Sequence, residues 1–332
     1  MKVVTLTPSS LARPETPNDR AAHALATELR AFLARGALNL AAIGSGQTSD
    51  RHAALCAFGR EDLSLARLVE AHTDAIAILA EAGHAVRADA LYGVWASDGP
   101  GSQLHLVETA SGDLVLRGAK RYCSGSTFLD AALVTAHRGD ELFLVDVPLR
   151  SKALTFDTSE WKSPAFSATA TGTVIFHDMR VGREQFVGNS RWYLDRPGFW
   201  HGAIGPAACW AGGAMGLVDA AAKARRANPH GLAHLGALEA MAWGMTAVLD
   251  RAGREIDADP RDKGNMARKR ALSVRHLIER ACTNIMDHFA RATGPALLAY
   301  DEAIAQRYAE LTLYIRQCHA ERDLEALSDN ET

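Results

Sequence analysis

The sequence predicts an α+β protein built in three blocks: an N-terminal helical block, a central antiparallel β-barrel or sandwich, and a C-terminal bundle of about four helices. Apolar residues recur at helical spacing before about residue 90, and short β-type runs between turn signals follow to about 190. The helical period then returns from about Pro206 and lasts to the end. The expected domains are therefore 1–90, 91–190 and 191–332. A chain of 332 residues with 48% hydrophobic and 23% charged residues can bury the core such an arrangement needs.

In the first block, helical spacing runs from about Asn18 to Arg35 and from Glu61 to Ala82, where Leu65, Leu68, Ile76 and Leu79 share a stripe with His72. Between them Ile43 to Ser49 is rich in Gly, Ser and Thr and reads as a loop. Its Gly44-x-Gly46 lacks the third glycine and the preceding strand of a dinucleotide fingerprint.

The strand-like runs of the second block are Gln103 to Glu108, Leu114 to Arg117, Ala131 to Ala136, Glu141 to Asp146 and Thr171 to Phe176, with Ser111-Gly112-Asp113 as a hairpin turn. No helical pattern separates them, which argues against parallel βαβ units. In the third block, one helix carries Leu238, Met241, Met245 and Val248, the next Val274, Ile278, Cys282, Ile285 and Phe289, and the last Ile304, Tyr308, Leu311, Ile315 and Cys318 before continuing through His319 to Leu327. Asn228-Pro229-His230-Gly231, Asp257 to Gly264 and Thr293-Gly294-Pro295 supply the breaks. The uncharged run Ala203 to Val218 is interrupted by Pro206 and too short to span a bilayer, so it reads as a buried, close-packed helix.

With 36 Lys plus Arg against 39 Asp plus Glu, the net charge of -3 offers no cationic field for nucleic acid. Five scattered cysteines form no C-x-x-C pair, so neither disulfides nor a thiolate metal site is expected. The histidines show no ligand spacing, so no metal is expected either. Val3 to Leu6 is too brief for a signal h-region, and a cytoplasmic location is the expectation. The basic stretch from Lys263 to Arg280 reads as a solvated face, with a subunit contact or an anionic cofactor tail as the second reading.

Phosphate-loop, zincin and serine-esterase motifs are absent. The informative segments are Val94-Trp95-Ala96-Ser97-Asp98-Gly99-Pro100-Gly101-Ser102 and Gly118-Ala119-Lys120-Arg121-Tyr122-Cys123-Ser124-Gly125. Each places an aromatic ring beside exposed backbone amides and a hydroxyl, which suits the flat ring and polar edge of a flavin. By themselves the same residues also read as two β-turns with one aromatic each.

The order of blocks, together with G-x-K-x-Y-x-S-G in the second segment, resembles the acyl-CoA dehydrogenase flavoproteins. Trp161 with Ser163, the stretch Thr173 to Val181, Gln185 to Gly188, and Gly212-Gly213-Ala214-Met215-Gly216-Leu217 extend the resemblance over about Glu61 to Leu327. It implies a FAD cofactor contacted by Tyr122, Ser124, Gly125, Trp95 and Ser102, with Arg226 reaching phosphate. It also implies an acyl-CoA-like substrate and a homodimer or homotetramer, for which Gly212-x-x-x-Gly216 would permit close helix approach.

The departures concern chemistry. Trp95 stands where the family has a small hydroxyl residue. The family's catalytic glutamate falls on Tyr314-Ile315-Arg316-Gln317, near Arg316, and its alternative position falls on Pro206 and Ala207, so the catalytic residue is left unassigned. Glu321 and Asp323 read as surface charges of the tail helix. The N-terminal block is shorter than the family's. The functional expectation is a FAD-dependent oxidoreductase acting on the CH–CH group of an acyl thioester. The alternatives are a flavin-dependent monooxygenase, which needs no α-proton base, and a non-catalytic scaffold that has lost it.

Overall fold

A computed structural model describes residues 16–224 and 228–328. Three helices open the fold: α1 (Pro17–Ala34), α2 (Thr48–Glu61) and α3 (Leu63–Glu81). Thr16 and Asp19 form a capping box at the start of α1, and the Asp62 carboxylate accepts from Leu65 N at the start of α3. Helix α2 was not expected, because its apolar residues make no continuous stripe. Tertiary packing forms it: it lies against α6 (Gly205–Lys223), backbone almost on backbone. A Cβ on Gly59 would stand 2.3 Å from the Cys209 carbonyl oxygen, and one on Gly212 would stand 2.0 Å from that of Cys56. The Gly212-x-x-x-Gly216 pair is thus spent inside the subunit, on α2 and on the Arg307 side chain, and not on a second copy as the sequence suggested.

The strands are β1 (Tyr92–Trp95), β2 (Leu104–Glu108), β3 (Leu114–Cys123), β4 (Ala131–Arg138), β5 (Glu141–Pro148), β6 (Leu154–Asp157) and β7 (Gly172–Arg180). They form one seven-stranded sheet in the order β1-β4-β2-β3-β7-β6, with β5 added on β4. All five expected runs overlap these strands, and the β2–β3 hairpin turns at Gly112, whose φ is 83°. The sheet departs from the expected antiparallel barrel in two ways. It runs as an open path, and β1 pairs parallel with β4, Tyr92 opposite Ala131. The hairpin lies between these two strands in sequence, so their neighbourhood is a long-range pairing that local pattern does not encode.

The remaining helices are α4 (Trp192–Asp195), α5 (Pro197–Gly202), α6, α7 (Pro229–Ala258), α8 (Ala267–Thr293), α9 (Pro295–Tyr300), α10 (Glu302–Tyr314) and α11 (Glu321–Ser328). Helix α6, expected to be buried, is the hub, with Ala207, Cys209, Trp210 and Ala214 fully enclosed. Asn228 caps α7 and Pro229 occupies its first turn. The final helix does not run on through residue 318 as expected. After α10 the chain tightens into a 3₁₀ turn over Ile315–Gln317, turns at Ala320 with φ 48°, and restarts as α11. Asp323 secures the restart by accepting from His319 N at 3.0 Å, so it is a buried cap and not a surface charge.

In the basic stretch, Arg270 pairs with Glu255 at 3.0 Å, and Arg275 donates to the Ala203 and Gln317 carbonyls at 2.7 and 2.5 Å. These two are structural clamps in place of a solvated face. Helix α7 is the one described helix long and apolar enough to cross a membrane by length and composition.

Candidate functional site

Strand β1 divides the interior. Because successive side chains point to opposite faces, Tyr92 and Val94 pack with Ala75, Ile78 and Leu79 of α3, while Trp95 enters the larger core on the other side. On the Val94 side, α3, β1, β4, the α4–α6 corner, α8 and the turn at residues 317–323 line a half-open cavity of about 470 Å³. Its apolar wall is Tyr193, Phe199 and Trp200, whose rings meet edge to face at 5.4 and 5.2 Å.

Glu70 and Asp74 of α3 stand on the opposite wall, one helical turn apart. Burial raises the Glu70 carboxyl to about 8, with the neighbouring Asp74 charge adding to the effect against Arg51, Arg275 and Arg67. Burial likewise raises Asp74, against Arg196 and Arg51. Among the described residues no hydrogen bond reaches either carboxylate. Behind them a second cavity of about 10 Å³, lined also by Arg51, His52 and His201, has room for one water. His201 keeps its Nδ1 without a partner there.

The other face of β1 is filled. Trp95 donates from Nε1 to the Ser124 carbonyl at 3.2 Å. Arg67 donates from Nε to Ser124 Oγ at 2.8 Å, and its guanidinium lies 4.9 Å from the Phe166 ring centre and 5.4 Å from that of Tyr314. Ser124 Oγ also bonds Thr171 at 2.9 Å. Ser102 is buried, its hydroxyl donating to the Gly99 carbonyl at 3.4 Å, and Gly125 N donates to the Thr169 carbonyl at 2.7 Å. Beneath them Lys120 is completely buried, with Nζ 2.5 Å from Asp98 and 2.7 Å from Thr135 Oγ1. The lysine of the G-x-K stretch therefore ties the two motif segments together.

Tyr122 is different. The β3–β7 register shifts between Lys120 and Cys123, Tyr122 adopts φ 60°, and its ring is 51% exposed. A bulge with a bulky residue in the left-handed region re-aims a side chain at some cost in backbone strain. The ring borders a groove of about 300 Å³ with Trp161, Arg121, Glu160 and Thr173. Two aromatic rings suit the flat ring of a flavin, while the Arg121 guanidinium and the Thr173 hydroxyl beside them both meet the Glu160 carboxylate, at 3.5 and 3.1 Å. The Ser124 hydroxyl is bonded to Arg67 and Thr171, and of the nominated side chains Tyr122 is the one that stands exposed. Arg226 lies outside the described residues. Arg316 turns from the interior to pair with Glu279 at 2.6 Å, and Pro206 lines the 470 Å³ cavity without a titratable group.

Sequence reasoning passed over Glu70 and Asp74, although a signal was present. The only charged residues of α3 are Arg67, Glu70, Asp74 and Glu81, which fall on one stripe of a helix that is apolar elsewhere except at Ser64, His72 and Thr73.

No protein-family model matches the sequence, and no curated protein matches it. Solved structures do match in fold. FMN-bound TdsC from Paenibacillus sp. A11-2, a dibenzothiophene monooxygenase, superposes with a TM-score of 0.73 at 16% identity over 94% of this chain and 96% of its own. The methanesulfinate monooxygenase MsuC from Pseudomonas fluorescens gives 0.73 at 17% over 95% and 96%. A nitrososynthase from Micromonospora carbonacea var. africana gives 0.76 at 16% over 96% and 98%. What this chain shares with them is the fold.

Proposed function

We propose that this chain is a flavin-dependent oxidoreductase of the monooxygenase kind, which transforms a small molecule held in the 470 Å³ cavity. One observation carries the reading: the half-open, aromatic-walled cavity lies in a fold shared over nearly the whole chain with monooxygenases, one of them bound to FMN. Tyr122 and Trp161 would hold the flavin ring and Arg121 an anionic group, and the flavin would supply the redox chemistry. A second copy of the chain would close the open groove.

Acyl thioester dehydrogenation is the second reading, and Glu70 favours it. A carboxyl raised to about 8 and opening on the cavity supplies a titratable group, a base above that pH, that the Arg316 position does not. FAD requires a seat for its pyrophosphate, and Arg226, the residue nominated for it, lies outside the described residues, so the reading commits to a flavin and the experiment compares two.

Purified protein is titrated with FMN and with FAD and its absorbance followed. The expected result is stoichiometric uptake of a flavin, weakened at least tenfold by Tyr122→Ala, with oxygen consumed after reduction and no bleaching by acyl-CoA esters. Protein that takes up neither flavin overturns the proposal. Anaerobic bleaching by a thioester replaces it with the dehydrogenase.

A further inference from the structure

We propose that the 470 Å³ cavity is a seat for a protonated amine that also carries an oxygen acceptor, with Glu70 and Asp74 receiving the nitrogen. The inference deepens the functional reading above by naming the substrate class of that site, and it is tested without flavin.

The two carboxylates are held bare. Gly202 and Gly205, at the α5–α6 corner, face them so closely that a Cβ would stand 2.7 Å from Asp74 Oδ1 or 2.9 Å from Glu70 Oε1. The cations around them are occupied elsewhere. Arg51 of α2 donates to the Ala41 carbonyl, Arg67 of α3 to Ser124, and Arg275 of α8 to two carbonyls. Arg196, before α5, pairs with Glu81 at 2.5 Å. Two neighbouring carboxyls without hydrogen bonds, one of which keeps its proton while the pair is empty, are an arrangement that a bound cation relieves. The cavity behind them admits one water at most, so the cation arrives from the large cavity, past the faces of Tyr193, Phe199 and Trp200.

An independent observation points to the oxygen. Arg196 lines the same cavity, is 5% exposed, and keeps its Nε–H without an acceptor. A buried guanidinium nitrogen lacking an acceptor calls for one from the occupant. A hydroxylated or oxo-bearing amine brings both features, whereas an anion would meet Glu70 and Asp74.

The test is calorimetric titration of the full chain, free of flavin, with benzylamine, 2-amino-1-phenylethanol and glucosamine, each against its N-acetylated counterpart. At least one free amine is expected to bind tenfold or more tightly than its acetylated form. The hydroxylated amine is expected to exceed benzylamine, an advantage that Arg196→Lys removes. Glu70→Gln and Asp74→Asn should each weaken the amine at least tenfold. Both variants keep the shape of the side chain, and melting no lower than the wild type's shows that the loss is one of binding. Because Glu70 carries its proton at neutral pH when the cavity is empty, amine binding should expel it, so the heats measured in phosphate and in Tris at pH 7 should differ. Amines that bind no better than their acetylated forms, binding that survives Glu70→Gln, equal heats in both buffers, or preference for benzoate would each overturn the inference. Protein that binds amine but no flavin breaks the functional reading and leaves this one standing.

Discussion

The two faces of β1 treat polar groups in opposite ways. On the Trp95 face Ser124 is answered by Arg67 and Thr171, and Trp95 by the Ser124 carbonyl. On the Val94 face Glu70 and Asp74 reach no hydrogen-bond partner among the described residues, with a cavity in front of them. A satisfied interior network holds a fold together, whereas unsatisfied charge beside open space is retained against its cost in stability. Most of the motif side chains thus serve one another within the fold, and the proposed substrate cavity opens one residue along the same strand, on its other side.

The largest effect is expected from Lys120→Met, which takes from Asp98 its buried partner, leaving it His137, and unties the two motif segments. A loss of about 3 kcal/mol is expected in urea unfolding, and a loss below ~1 kcal/mol would mean that the motif segments are not held together by this lysine. Gly212→Ala pushes a methyl into the Cys56 carbonyl and should cost about 2 kcal/mol by thermal melting. The assembly state measured by light scattering should not change, since the contact lies within one subunit. Ser124→Ala leaves Arg67 Nε without its acceptor, for about 1 kcal/mol.

Glu70→Gln should act in the opposite direction at neutral pH. The folded carboxyl is raised from 4.5 to about 8, so the stabilisation its proton gives is complete below about 4.5 and is lost as pH rises through about 8. Wild-type melting temperature should therefore fall across that window more steeply than the variant's, and parallel profiles would show that Glu70 ionises freely in the fold. The smallest effect belongs to Arg316→Ala, whose exposed pairing with Glu279 should be worth ~0.5 kcal/mol or less in the same unfolding assay.

Much of this was legible in the sequence. Helical stripes marked α1, α3, α7, α8 and α10, alternation and turn residues located five of the strands, and the apolar run marked α6, because local periodicity encodes which face of each element is buried. Within the motif segments the residue types suggested a flavin, but residue type does not reveal where a hydrogen bond is spent. The parallel β1–β4 pairing, the close approach of α2 to α6, the bulge that turns Tyr122 outward and the capping of α11 by Asp323 all join parts of the chain through packing or backbone geometry. The stripe of charge on α3 was written in the sequence. That Glu70 and Asp74 open onto a cavity, while Arg67 on the same stripe is sealed against Phe166 and Tyr314, was decided only when β1 came to lie across that helix, since burial and partnership belong to the assembled fold and not to any residue alone.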